Sequence, residues 1–469
     1  MRLQRYSTTG ILILKNIFKG DQVTAASKWV EPEEFKKILR LAFPLILSNL
    51  TQPVLITTDT ILAGHQGSAA VLGGVTVGGM LFSSIFWSFG FLRMATTGLV
   101  AQAYGAREER ASALHSVRAI ALGLLLGAVI LAVQRPLIEL ALGLLGGSAE
   151  VTEQARIYCH ILIWSAPAVL VNYAVLGTLL GRQRARTALL LQASMQVVNL
   201  AVAIALVVGW HWGIAGIATG TLASEWAGCL LGLALVADTL RVRQLAWREL
   251  AHTRDLWQLF HLNRDIFLRT VSLVAAFAWF TRRGAEAGDT VLAANAVLLN
   301  LQAIAAYGLD GFANATEALS GEAVGARDAA RFRSALRAST VCAALTAVVF
   351  ALIFAVFGTH MIPLFTDQPA VRAAACRYLP WLIAMPLVAV WGYQCDGVFI
   401  GATRSADLRN SMILSLAGFL LFSFLFCRWW ANDGLWAAFL AFMALRGLTL
   451  GLRLKRIPAG LEALQEAAR

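Results

Sequence analysis

Charge is scarce in this chain of 469 residues: only 14% are Asp, Glu, Lys or Arg, while 58% are hydrophobic and the mean hydropathy is +0.67. Ordinary soluble domains are nearer half apolar and a quarter charged, so a soluble globular protein is excluded. The six cysteines (159, 229, 342, 376, 395 and 427) include no C-x-x-C pair. They lie inside or at the edges of apolar runs and read as small buried hydrophobes. The seven histidines (65, 115, 160, 211, 252, 261 and 360) are not at metal-ligand spacing, and H-E-x-x-H, P-loop and G-x-S-x-G motifs are missing. These absences argue against an enzyme, a resident metal or cofactor, and a pump driven directly by ATP. Residues 1–30 carry no signal-peptide pattern, because Ile11-Leu12-Ile13-Leu14 is too short and no small-residue cleavage site follows. They are expected to form a basic cytoplasmic tail.

What is abundant is long apolar sequence. Crossing a bilayer core takes roughly 20 apolar residues as a helix. Such runs occur at about 38–63, 70–96, 112–134, 154–181, 187–210, 213–238, 265–281, 289–312, 335–357, 375–401, 407–427 and 434–452. They are continuous and rich in Leu and Ala, whereas barrel strands alternate in segments of about ten residues. The expectation is an all-α membrane protein with about twelve transmembrane helices, numbered here as spans 1 to 12.

The sequence also repeats itself. Gly98-Leu99-Val100-Ala101-Gln102-Ala103-Tyr104-Gly105-Ala106-Arg107-Glu108 returns as Ala318-Leu319-Ser320-Gly321-Glu322-Ala323-Val324-Gly325-Ala326-Arg327-Asp328, a shift of 325 − 105 = 220. The same shift pairs Tyr158 with Tyr378, Gly177 with Gly397, Gly181 with Gly401 and Arg184 with Arg404. Periods of 20 to 50 residues, which would mark a solenoid, are not seen. Two homologous six-helix lobes follow, at 35–240 and 265–455. A cytoplasmic tail at 1–34, a cytoplasmic connector at 241–264 and a C-terminal tail at 456–469 flank them.

The formal charge of +12 could point to nucleic acid, but the arginines sit in alternate loops. Arg107 and Arg110, then Arg182, Arg184 and Arg186, then Arg241, Arg243, Arg248, Arg254 and Arg264, then Arg327, Arg331 and Arg333, then Arg404 and Arg409 all follow even-numbered spans. The positive-inside rule places both termini and these loops in the cytoplasm, and nucleic-acid binding becomes unnecessary. The connector, with Trp247 and Trp257, reads equally as an interfacial helix or a plain linker.

An ionisable side chain within a span costs about 2.5–3.5 kcal/mol on insertion scales, so each needs a partner, a wet cavity or a task. Asp59 lies near the outer end of span 1, after Pro53, which should weaken the helix and permit a kink. It is a candidate functional acid or, more plainly, an interfacial residue bonded to neighbouring threonines. Glu225 lies mid-helix in span 6 and reads equally as the partner of a structural contact or as a functional acid. In span 8, Asp310 shares one broad helical face with Asn295, Gln302, Asn314 and Glu317. Asp396 lies deep in span 10. Asp310, Asp396, Asn295 and Gln302 are candidates for a polar or cation site, with a static buried network as the alternative. Arg93 and Arg446 read as snorkelling residues or as partners of an acid. In span 2, Phe86, Trp87 and Met94 are candidates for lining a cleft that accepts flat lipophilic compounds, although such a surface is more often core or lipid-facing.

The two halves, Asp59 within Asp-Thr-Ile-Leu-Ala-Gly, and the paired Ala-Gln-Ala-Tyr-Gly-Ala-Arg and Gly-Glu-Ala-Val-Gly-Ala-Arg segments resemble the MATE (multidrug and toxic compound extrusion) transporters. Within them the DinF branch, named for DNA-damage-inducible protein F, looks most similar, through Phe91-Leu92-Arg93-Met94-Ala95-Thr96-Thr97-Gly98-Leu99, Asn263-Arg264-Asp265-Ile266, Leu309-Asp310-Gly311-Phe312 and Asp396-Gly397-Val398-Phe399-Ile400-Gly401-Ala402-Thr403-Arg404. The likeness covers about residues 35–455. It implies two lobes around a central cleft that alternate between inward- and outward-facing states to export small organic compounds, amphipathic or cationic, against entry of H⁺ or Na⁺. It further implies a multi-pass protein of the bacterial inner membrane, acting as a monomer in the lipid bilayer.

On this resemblance Asp59 matches the span 1 acid whose protonation is proposed to bend the helix and release substrate. Desolvation changes the cost of its charged form and so couples proton occupancy to conformation. Asp396 matches the acid of the C-lobe cation site. Two positions depart from the pattern. Proton-coupled members commonly carry Asn-x-x-x-Asp in span 5, where this chain has Asn199 and Ala203, so a proton network would rest on Asp59, Asn199 and Glu225. Span 7 lacks the glutamate of the sodium-coupled site and has only Asp265 at its start. H⁺ is therefore the expected coupling ion. The alternative is a lipid-linked saccharide flippase of the same superfamily, for which a cavity lined by arginines would be expected.

Overall fold

A computed structural model describes residues 32–467 apart from 65, 67, 146, 147, 241–246 and 251. The tail at 1–31, His65, and Arg241 and Arg243 of the connector lie outside the described residues. All regular structure among the described residues is helical. The first half comprises α1 (Pro32–Gly64), α2 (Ala69–Ser88), α3 (Phe91–Gly105), α4 (Glu109–Ala132), α5 (Gln134–Leu145), α6 (Ala149–Leu162), α7 (Ala166–Gly181), α8 (Ala185–Ile204) and α9 (Gly213–Leu240). A short α10 (Trp247–Leu250) lies in the connector. The second half holds α11 (Thr253–Glu286), α12 (Asp289–Gly325), α13 (Ala329–Met361), α14 (Pro369–Gly401), α15 (Ser405–Leu454) and α16 (Arg456–Ala467).

Nine helical stretches among the described residues are long and apolar enough to cross a membrane. One of them, Ser405–Glu466, contains both span 11 and span 12, because α15 turns at Ala431 (φ 46°, ψ −125°). The helices α1 and α11 occupy spans 1 and 7 and are long enough to cross, but carry more charge, including Arg264, Asp265 and Arg269. Three expectations are revised. Span 2 is not one helix to residue 96 but breaks at Phe89–Gly90 between α2 and α3. Span 8 is much longer than 289–312, since α12 runs for 37 residues through the duplicated segment. Among the cysteines Cys376 is exposed, because it lies on the outward face of α14, whose inward face carries the buried Val371, Ala375 and Tyr378.

The chain forms two compact units: Leu47–Leu259, and Phe260–Arg469 together with the described part of Met1–Ile46. In the first, α7 packs against α3, α4 and α9; in the second, α14 packs against α12, α13 and α15. The 220-residue repeat is written into the backbone. Six non-glycine residues among those described have positive φ, and they form three pairs at that spacing: Arg107 and Arg327 (60° and 54°), Gln183 and Thr403 (59° and 53°), His211 and Ala431 (56° and 46°). The first two pairs close helices in the same way. Glu108 N–H bonds to Ala103 C=O and Asp328 N–H to Ala323 C=O, both at 2.9 Å, in the left-handed cap that satisfies orphan carbonyls.

Glycines set the close helix crossings, where small residues let membrane helices approach by van der Waals contact. A Cβ on Gly177 would strike the Arg93 carbonyl and Thr96, and one on Gly397 the carbonyl of Ala313, which is the repeat partner of Arg93. A Cβ on Gly181 would meet Val100 and the Thr97 carbonyl, and one on Gly401 their partners Ser320 and the Glu317 carbonyl.

Candidate functional site

Each unit carries its own buried polar group. In Leu47–Leu259 it is built where α1, α8 and α9 meet. Asp59 is 6% exposed, and its Oδ2 accepts from Thr221 Oγ1 at 3.3 Å. Asn199 Nδ2 donates to the same Thr221 hydroxyl at 3.0 Å. The buried Tyr158 lies beside Asp59 and Thr221. Asp59 Oδ1 is buried without a hydrogen-bond partner, and no described basic side chain pairs with the carboxylate. Thr221 is thus the hub joining Asp59 to Asn199, a residue sequence reading did not single out. Its signal was present: Thr221 and Glu225 are four apart on α9, and so on one face. Glu225 stands one turn further on and has a different partner, Asn172, whose Nδ2 donates to Glu225 Oε2 at 2.9 Å.

The repeat explains why no equal group forms in the other unit. At the same shift Asp59 faces Trp279 and Asn199 faces Phe419. There the aromatic cluster of Phe280, Phe419, Trp436, Phe439 and Phe442 fills the space, with Phe280 and Trp436 edge to face at 5.0 Å. Trp279 Nε1 donates to Ser423 at 3.1 Å.

In the second unit one oxygen of Asp396 is held by two cations. Arg269 of α11 and Arg446 of α15 both donate to Asp396 Oδ2, and the Arg446 guanidinium lies 5.3 Å from the Tyr393 ring centre. Asp310 is half-buried and electrostatically coupled to Tyr393 and Arg446, with Gln302 bonded to Tyr393. Three of the four expected C-lobe residues therefore converge. Asn295 does not join them: its Oδ1 accepts from Asn432 Nδ2 at 2.9 Å and Trp436 Nε1 at 2.8 Å, a separate bridge between α12 and α15. Arg269 escaped sequence reading because attention went to acids and to arginines in loops, although it lies in span 7 five residues after Arg264. Of the expected cleft residues, Phe86 is packed inward against Phe82 at 5.4 Å, Trp87 is 49% exposed, and Met94 lies half-buried beyond the helix break.

Duplicated helical units of membrane-spanning length, with carboxylates held by neutral groups in one unit and by arginines in the other, are an arrangement suited to a membrane transporter. The MatE family model matches the chain twice, over residues 44–205 and 267–429, once in each half, and the chain belongs to this transporter family. It is 42% identical to the DNA damage-inducible protein F of Escherichia coli (strain K12) over 88% of this chain and 91% of that one. It is 27% identical to the probable multidrug resistance protein NorM of Rhizobium meliloti (strain 1021), covering 93% and 96%. Its fold is similar to a MOP superfamily transporter from Pyrococcus furiosus (TM-score 0.83, 18% identity, 94% of this chain and 100% of that one). An outward-facing multidrug resistance MATE transporter gives 0.81 at 19% identity, covering 95% and 100%.

Proposed function

We propose that this protein is a secondary active antiporter of the bacterial inner membrane, with both termini cytoplasmic, that exports amphipathic or cationic organic compounds in exchange for H⁺ by alternating access. The working divisions are an N-lobe at 35–240 and a C-lobe at 265–455, and the transporting unit is the monomer. Asp59 is the coupling carboxylate, with Thr221 and Asn199 as its hydrogen-bonding frame and Glu225 as a second acid on α9.

The observation that carries this reading is the pairing of Asp59. An ionised carboxylate only accepts hydrogen bonds, whereas a protonated one also donates. With Oδ1 unpaired and only a hydroxyl on Oδ2, arrival of a proton changes what Asp59 can bond to, and among the described residues no arginine pairs with it to hold it in one state. Asp396 also has an unpaired Oδ1, but the two guanidiniums on its Oδ2 favour the ionised form. H⁺ is favoured over Na⁺ because the frame offers Asp59 one hydroxyl and, beyond it, one amide, with no second carboxylate bonded to it. The test is export of a fluorescent organic cation from cells and proteoliposomes carrying Asp59→Asn. Loss of export with normal membrane insertion supports the assignment; full export by the variant contradicts it.

A further inference from the structure

The Asn263-Arg264-Asp265-Ile266 motif takes no part in the Asp59 group, yet it stands where two apolar helix faces end in a cluster of arginines. On α11 the exposed Phe260, Arg264, Phe267, Leu268 and Val271 follow the i, i+4, i+7, i+8, i+11 spacing of one face, while Leu262, Asp265, Ile266, Arg269 and Thr270 are buried on the other. Arg264 therefore interrupts an outward surface that is otherwise apolar. Its depth follows from the helix. Between it and the exposed Arg282 lie 282 − 264 = 18 residues of rise, about 27 Å at 1.5 Å per residue, close to the roughly 30 Å of a hydrocarbon core. Arg264 thus lies at headgroup level, with Phe267, Leu268 and Val271 on its hydrocarbon side and Phe260 one turn outside. The start of α15 is arranged alike, since Arg409 stands one turn before the exposed Ile413 and Leu414.

The two arginines meet on one acid. Asp265 is 4% exposed; its Oδ1 takes Arg409 Nη1 at 2.6 Å and its Oδ2 the Ser405 hydroxyl at 3.2 Å, while Arg264 Nη2 reaches the same Oδ1 at 3.0 Å from the exposed face. Two residues before Arg409, Asp407 pairs with Arg453 at 2.8 Å and Arg404 at 3.5 Å. Four guanidiniums against two carboxylates leave 4 − 2 = 2 positive charges, on arginine side chains that are 23% to 41% exposed. We propose that Arg264 and Arg409, with Arg404 and Arg453 beside them, bind the headgroup phosphate of an anionic phospholipid whose acyl chains lie along Phe267, Leu268 and Ile413. Charge complementarity names the occupant. The excess charge is positive, the guanidinium fork matches phosphate oxygens, and basic clusters at the end of a membrane helix attract anionic lipid. The apolar faces leading away from both arginines suit acyl chains, which a soluble anion lacks. The site lies wholly in the second unit and goes beyond the export reading, which it does not require.

The test is native mass spectrometry of the full-length protein in detergent with an equimolar mixture of phosphatidylglycerol and phosphatidylcholine of matched chains. The wild type is expected to retain phosphatidylglycerol in preference to phosphatidylcholine. Arg264→Gln and Arg409→Gln should each lower that preference about fivefold, the effect of one arginine at an anionic surface. Arg333→Gln, which removes an arginine paired one to one with Glu462, should leave it unchanged. Equal retention of the two lipids by the wild type overturns the proposal without needing any variant to fold. So does a loss in Arg333→Gln as large as in Arg264→Gln, which would mark a diffuse effect of net charge. Displacement of phosphatidylglycerol by millimolar inorganic phosphate also overturns it, because the site would then serve a free anion. Since binding is read without transport, failure of proton-driven export would count against the transport reading and leave this result separately decided.

Discussion

At the scale of the residue, the account turns on Thr221. Its hydroxyl is shared between Asn199 and Asp59, and a hydrogen bond to a charged group contributes about 1.5–3 kcal/mol. Replacing it by the isosteric valine should cut proton-coupled export about tenfold or more, because each 1.4 kcal/mol is a factor of ten. Thr221→Ser, which keeps the hydroxyl, should retain most of the rate; initial rates of dye export in inside-out vesicles measure both. Equal rates for the valine and serine variants would remove Thr221 from the coupling frame. The acids themselves were legible in the sequence, since charge is rare enough in these spans to stand out. Their partners were not. Thr221 is one of many threonines, and Arg269 was hidden by the rule that arginines mark loops.

At the scale of the element, the repeat makes paired predictions. A methyl group added at Gly181 or Gly401 meets the backbone of the crossing helix, with Thr97 C=O at 2.9 Å in one case and Gly321 N at 2.9 Å in the other. Overpacking of this kind costs about 1–3 kcal/mol. Gly181→Ala and Gly401→Ala should each lower the thermal unfolding midpoint in detergent, while Gly79→Ala, with open space around it, should not. Ala431 makes the opposite prediction. It holds φ 46° and ψ −125°, a conformation that costs a residue with a Cβ of order 1–3 kcal/mol. Ala431→Gly should therefore raise the midpoint, and a lowered midpoint would show that the turn in α15 is not strained.

Periodicity read these helices well in the lateral direction and poorly along their length. Asn295 and Asp310 share a helical face but stand fifteen residues apart, about 22 Å along the axis at 1.5 Å per residue. They consequently serve different neighbours, Asn432 in one case and the Tyr393–Arg446 pair in the other. The break between α2 and α3 was equally hidden, because Phe89, Gly90 and Phe91 continue an apolar run without a proline to mark the turn.

At the scale of the whole molecule, the duplication visible in the Gly-Ala-Arg segments reaches the backbone torsions and the glycine crossings of both units, so the scaffold was legible from sequence alone. The chemistry is asymmetric on that scaffold. One unit holds a carboxylate among a hydroxyl and an amide; the other fills the equivalent layer with aromatic rings and places an arginine-bound carboxylate elsewhere. An inserted charge is tolerated only where neighbours satisfy it, and those neighbours come from three or four helices distant in sequence. No local motif encodes such a set.

The central claim is that H⁺ movement through the Asp59 group drives export. The most direct measurement is transport of a fluorescent organic cation in proteoliposomes under imposed gradients, with wild type and Asp59→Asn compared at equal protein density. The account predicts that a pH gradient alone drives transport by the wild type, that the variant gives none, and that a Na⁺ gradient at equal pH on both sides gives none with either. Transport driven by Na⁺ alone, or full pH-driven transport by Asp59→Asn, would contradict it.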